Sequence, residues 1–252
     1  MRFRKIIILL TSIAVIFALS CSKKEPSKYD FQLLINSAKK VDDILHNELQ
    51  RLKIIAENEE VISGDWQSIK KALTENSSKR TKALYWYSLP DGSYYTSARD
   101  KVEATLSDRE YFQSLKKGNN VVGYPIIGKT SGKKSFVIAV PIIKEEEVVG
   151  MLGSSVFLNE FWNYLKEQIK IPSDYDFYTI AADGITIFDL ESKDLMLNDT
   201  LEESSTSLVA AVEEIISKKD GIVTYEWNEK EKTAIFTKSH VCDWRYVISY
   251  IE

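Results

Sequence analysis

The sequence is short of cysteine, histidine, basic charge and long apolar runs, and each shortage closes a class of explanation. Its 252 residues hold two cysteines, Cys21 and Cys242. The first stands at the end of an apolar leader, so no disulfide framework within the chain is expected. The two histidines are His46 and His240. A Ser-His-Asp triad would have to recruit one of them, and no nucleophile-elbow pattern accompanies either. A zinc site would need His240, Cys242 and distant help. The expectation there is one buried thiol beside one ordinary strand histidine. Glycine-rich phosphate loops are also missing. The chain is therefore expected not to be an enzyme and to use no cofactor or metal. Its formal charge is −4, and it becomes −7 once Arg2, Arg4 and Lys5 are removed. Such an acidic chain lacks the electrostatic footprint for nucleic acid. Apolar residues make up 44 % of it, which excludes disorder as the explanation.

The one long apolar run lies at the start. Residues 6–19 are apolar apart from Thr11 and Ser12. A basic start, an apolar stretch and small residues before a cleavage point mark a secretory signal. As a helix this run would rise about 21 Å, short of a hydrocarbon core of about 30 Å. Ala18–Leu19–Ser20–Cys21 resembles the bacterial lipobox, which implies cleavage before Cys21 and lipid on its sulfur. An ordinary signal peptide and an uncleaved anchor are the competing readings. One acyl chain gives marginal binding and several give stable anchoring, which suits a cysteine carrying two or three. On this reading residues 1–20 are a signal peptide and 21–28 a polar tether. The rest lies in the cell envelope, facing periplasm or exterior. No second run of spanning length follows, so the chain is expected to work through a membrane receptor, kinase or transporter.

Residues 29–82 read as a long helix and a short one. Phe31, Leu34, Ala38, Val41, Leu45, Leu52 and Ile55 recur at steps of three and four, with Glu48 interrupting and Leu49 beside it. That stripe has two candidate partners, the chain's own sheets or a second copy. Asp65 is placed to cap the shorter helix, with Trp66, Ile69 and Leu73 facing inward. From Ala83 the period changes to two. Strands are expected at 83–89 and 93–97 around the Pro90–Asp91–Gly92 turn. A short helix follows, capped by Ser107 and ended by Gly118. Strands at 121–127, 135–143 and 148–158 come next, then a helix at 159–169. Glu145–Glu146–Glu147 reads as a solvated turn between two of them. The order repeats: strands at 175–181 and 185–189, a helix at 204–218, and strands at 222–227, 233–239 and 244–251. Two units with one plan, residues 83–170 and 173–252, predict an α+β fold. Each would hold a five-stranded antiparallel sheet with one face covered by helices.

Five segments in order resemble a double Cache domain, the PAS-like extracytoplasmic sensor module of bacterial chemoreceptors and histidine kinases. They are Ser107–Asp108–Arg109–Glu110–Tyr111–Phe112, Tyr124–Pro125, Thr130–Ser131–Gly132–Lys133, Ala139–Val140–Pro141–Ile142 and Val149–Gly150–Met151–Leu152–Gly153. The resemblance implies two tandem PAS-like sheets beside a long helix, with ligand held by the first, membrane-distal unit. It also implies that Arg109 grips a ligand carboxylate, with Tyr111, Phe112 and Tyr124 around it. A guanidinium fork makes two parallel hydrogen bonds to a carboxylate, and aromatic walls bury the rest of the ligand. Tyr87 and Ser135 are further candidates for the pocket. Where amino-acid-binding members carry an aspartate for the ligand's ammonium, the matching position here is Ser155, or its neighbour Ser154. A tyrosine that such members place five residues before the arginine is Ala104 here. A small organic carboxylate is therefore the preferred ligand, and an α-amino acid is disfavoured. In the second unit only the Asp183–Gly184 turn stands out, and no ligand set is expected. The contrasting reading is an interaction module without a small ligand, which would dock a membrane partner or form a homodimer through its long helix.

Overall fold

Local sequence starts the long helix where the tether was expected to continue. In the computed structural model, which describes residues 25–77, 82–203 and 205–251, helix α1 spans Lys28–Ala56. Ser27 and Asp30 close a capping box that satisfies two backbone donors at its start. The signal peptide, Cys21 and the first tether residues lie outside the described residues.

The apolar stripe of α1 packs on the chain's own sheets, from Leu34 through Val41, Leu45 and Leu52 to Ile55. Phe31, expected at the head of the stripe, is instead 40 % exposed, although Asp30 beside it is already buried. Two acidic side chains, Asp42 and Asp30, bolt the helix to the rest of the chain, while Glu48 pairs within the helix. Glu48 pairs with Arg51, which reaches the Tyr85 hydroxyl at 3.3 Å. Asp42 accepts from Ser239 Oγ at 2.5 Å, from the His240 backbone N–H at 2.9 Å and from the Tyr246 hydroxyl at 2.6 Å. Asp30 accepts from the Tyr175 hydroxyl at 2.5 Å. Asp42 and Asp30 are tolerated at buried positions because they are bonded in this way. Helix α2 (Glu59–Ile62) and helix α3 (Trp66–Glu75) follow. Asp65 caps α3 as expected, and Ile69 and Leu73 are fully buried.

The first sheet has six antiparallel strands: β1 Ala83–Ser88, β2 Ser93–Thr96, β3 Arg99–Thr105, β4 Val121–Ile127, β5 Lys134–Lys144 and β6 Glu147–Phe157. Their order is β3-β2-β1-β6-β5-β4. The five-strand expectation omits β3. That strand is a mostly exposed, charge-rich edge whose Arg-Asp-Lys-Val-Glu-Ala-Thr sequence has no apolar alternation to announce it. Helix α4, Glu110–Lys116, also starts later than expected. Arg109 is its N-cap residue, and the Ser107 hydroxyl meets Thr105 instead. Glu145 and Glu146 both take positive φ, forming the two-residue turn that joins β5 to β6.

Both faces of this sheet are covered, whereas one was expected. Tyr85, Tyr87, Phe136, Ile138 and Leu152 face α1. Trp86, Tyr94, Val137, Ala139 and Met151 face α4 with Tyr111, Phe112 and Leu115. Helix α5, Leu158–Gln168, then leads to the second sheet.

That sheet is also six-stranded: β7 Tyr175–Ile180, β8 Ile185–Asp189, β9 Asn198–Asp199, β10 Asp220–Trp227, β11 Lys230–Lys238 and β12 Arg245–Ile251, ordered β10-β11-β12-β7-β8-β9. The two-residue β9 is too short to leave a sequence pattern. Helix α6, Thr206–Ser217, is capped by Ser205 and covers one face. His240 and Cys242 sit in the loop before β12 rather than on a strand, His240 exposed and the thiol half-buried.

The two units share one core. Trp244 packs against Phe136 at 5.2 Å and donates its indole N–H to the Gly123 carbonyl at 2.9 Å. Gly123 has φ +78°, and a Cβ there would meet the indole at 2.8 Å, so only glycine fits this joint. Among the described residues no helix is long and apolar enough to cross a membrane.

Candidate ligand-binding site

Strand alternation and one short helix assemble a polar spot in an aromatic wall on the α4 face of the first sheet. Trp86 and Tyr94 rise from β1 and β2, while Tyr111 descends from α4. The rings of Tyr111 and Tyr124 lie 5.3 Å apart, and Trp86 lies 6.4 Å from Tyr111. Trp86 can lie flat on β6 because Gly153 offers no side chain; a Cβ there would meet the indole at 2.1 Å. Its N–H bonds Ser155 Oγ at 3.2 Å.

Arg109 stands where α4 begins. One of its terminal nitrogens donates to the Ile127 carbonyl at 2.9 Å. Its Nε–H is enclosed and has no hydrogen-bond partner among the described residues. Asp108, an obvious ion-pair candidate beside it, is taken by Lys129 at 2.5 Å, which holds that carboxyl below the usual range. The segment carrying Lys129 folds back over the helix start, and Thr130 bonds the Tyr94 hydroxyl at 2.7 Å.

Burial pushes the Tyr111 phenol well above its ordinary pKa, with Arg109 opposing. Tyr124 is pushed up to about 12, first by burial and then by the bond it donates to Glu110 at 2.7 Å. Both phenols therefore stay protonated at neutral pH. A cationic fork, neutral hydroxyls and aromatic walls suit a small anion with a short apolar body. They offer no nucleophile paired with a base.

Of the residues singled out by sequence, Arg109, Tyr111, Phe112 and Tyr124 come together on this face. Phe112 is buried in the apolar cluster. Ser135 lies on the same side of β5 by alternation with Val137, and its hydroxyl bonds the Lys133 carbonyl at 3.2 Å. Ser155 joins through Trp86, whereas Ser154 points to the α1 side. Tyr87 does not join them. It packs on the opposite face with the α1 cluster, because Trp86 takes the α4 side and neighbours on a strand must alternate. Sequence reasoning missed Trp86 and Tyr94 as wall residues and Glu110 as partner of Tyr124. The β1 alternation separated Trp86 from Tyr87 without showing which of them faces α4.

This arrangement of two sheets along a helix recurs in solved structures of low sequence identity. The periplasmic sensory domain of the Campylobacter jejuni chemoreceptor Tlp1 is 16 % identical, with a TM-score of 0.63 over 88 % of this chain and 94 % of that one. The ligand-binding domain of the Pseudomonas fluorescens chemoreceptor CtaA in complex with L-leucine is 15 % identical (TM-score 0.69, 89 % and 94 % covered). That of the Pseudomonas aeruginosa amino acid chemoreceptor PctB in complex with L-Gln is 13 % identical (TM-score 0.70, 89 % and 90 % covered). No curated protein matches the sequence. The Cache domain family matches residues 30–250, nearly the whole described chain. The chain belongs to the Cache domain family. Its double form accounts for the two units, and the five resembling segments fall on the first Cache sheet, its helix α4 and their connecting loops.

Proposed function

We propose that this double Cache chain is an extracytoplasmic, lipid-anchored receptor that captures a small carboxylate at Arg109 in its first, membrane-distal unit. The observation that carries this reading is the divided guanidinium. One donor is fixed by the Ile127 carbonyl, and the enclosed Nε–H is left without an acceptor. A buried unpaired donor costs about 1–3 kcal/mol, more when charged, and a bound carboxylate relieves that cost. Ser155 is engaged by Trp86 and brings no negative charge, so the ligand needs no ammonium group. Capture would be reported to a membrane receptor, kinase or transporter by favouring one conformation.

The test is a melting-point screen of the purified chain against short mono- and dicarboxylates and amino acids, with Arg109→Ala alongside. A ligand at a hundred times its Kd adds about 2.7 kcal/mol, or roughly 5–10 °C for a chain of this size. One carboxylate class should give that shift, and the variant should lose it. A carboxylate shift that survives in Arg109→Ala would refute the assigned site. The anchor is tested separately: Cys21→Ser should release the chain from membranes, and unchanged palmitate labelling in that variant would sink the lipoprotein reading.

A second reading, an interaction module without a small ligand, has its own support. Trp86 lies on Gly153 and closes over Ser155, and Tyr29, Phe31 and Ile35 are exposed at the start of α1. A flat screen with all ligand classes would favour it.

A further inference from the structure

The second unit, in which no ligand set was expected from sequence, holds a half-open cavity of about 60 Å³ between its sheet, α6 and the loops flanking β9. Its walls are aromatic and apolar, with Tyr178, Tyr225, Ile180 and Val212 among them. Its polar end gathers charge of mainly one sign. Asp176 on β7 pairs with Lys232 on β11. Asp189 stands in register with Tyr178 across the β7–β8 pair. It accepts the backbone N–H groups of Glu191 and Ser192 through Oδ1, at 2.7 and 3.1 Å. Glu203 also lines the cavity, held by the Asn198 side chain at 2.8 Å. Three carboxylates and one lysine thus line this cavity, and among the three the lysine is paired with Asp176. The Tyr178 and Tyr225 hydroxyls meet at 3.0 Å beside them.

We propose that this cavity is a second ligand site, one that takes a small primary amine. The ammonium would sit against Asp189 and Asp176, and its short body would lie between the two tyrosines. A water-sized group needs about 10–15 Å³, so the space admits about four to six non-hydrogen atoms. An anion is disfavoured, because Lys232 is already paired and Asp189 and Glu203 would repel it. A metal ion is disfavoured too, since the described residues bring no three ligating side chains into range of one. Asp189 supports a cationic occupant further. Burial pushes its carboxyl up to about 6, Asp176 pushes the same way, and Lys232 and the two backbone amides oppose. A buried carboxylate kept at such a cost is a group that a bound cation would relieve.

The proposal does not rest on the carboxylate site, and the experiment separates the two. Melting points of the purified chain would be taken at pH 7.5 with millimolar propylamine, 2-aminoethanol and butane-1,4-diamine, for the parent, Arg109→Ala and Asp189→Asn. Asparagine keeps the Oδ1 acceptor for the two backbone amides, so the variant should fold, and its own melting transition checks this. At least one amine should raise the midpoint by several degrees in the parent and in Arg109→Ala, and the shift should vanish in Asp189→Asn. No shift with any amine would overturn the proposal. So would a shift kept in Asp189→Asn and lost in Arg109→Ala, which would put the amine in the first unit.

Discussion

The two Cache units share one plan yet present opposite chemistry on the faces turned away from α1. The first collects a guanidinium, two protonated phenols, one of them bonded to Glu110, and an indole on its α4 side. The second collects three carboxylates, one lysine and two tyrosines under α6. Their α1-facing sides, by contrast, merge into one apolar core through Phe136, Phe161, Phe188 and Trp244. A sheet with helices on both faces can therefore divide labour. One face carries the shared architecture, and the other is free to specialise by a handful of side chains.

The strongest way to break this comparison is to cut the shared core. Trp244→Ala removes a fully buried ring and its bond to Gly123, and should cost about 3–5 kcal/mol in urea unfolding. A cost below about 1 kcal/mol would mean that the units hold together without this joint.

The next effect sharpens the contrast between the faces through pH. Asp189 titrates at an ordinary value of 3.8 when unfolded and at about 6 when folded, chiefly because it is buried. The folded chain then binds more protons between those values, so stability falls as pH rises through them and the loss is complete above about 6. The loss is on the order of 3 kcal/mol. Asp189→Asn should be nearly as stable as the parent at pH 4 and more stable by that amount at pH 8. A difference that does not grow with pH would contradict the buried-carboxylate account.

The smallest effect belongs to the first face. Arg109 is half-buried with one backbone tether offset by its unpaired Nε–H, so Arg109→Ala should change stability without ligand by less than about 1 kcal/mol while abolishing carboxylate capture. A large loss of stability would make Arg109 a structural residue.

Much of this architecture was legible because α1 and the central strands advertise themselves by period. Leu34 through Ile55 mark the helix, and the Pro90–Asp91–Gly92 turn marks a hairpin. Edge strands do not advertise: β3 is charged and solvated, and β9 has two residues. Arg109, Tyr111 and Tyr124 were singled out through local motifs at one helix start and one strand. Tyr87 went astray because alternation shows that Trp86 and Tyr87 oppose each other without showing which faces α4. The second cavity left no trace, since Asp176, Asp189 and Lys232 each look like ordinary strand charges. Only the register of β7 with β8 and β12, and of β12 with β11, brings them together.

The most direct test of two faces with opposite chemistry is a melting curve of the parent chain with a carboxylate, with an amine, and with both. Stabilisation by ligands at independent sites adds. The account predicts that the shift with both equals the sum of the separate shifts. It also predicts that Arg109→Ala removes only the carboxylate part and Asp189→Asn only the amine part. A combined shift no larger than the greater single one, with both parts lost in one variant, would mean a single site and contradict the account.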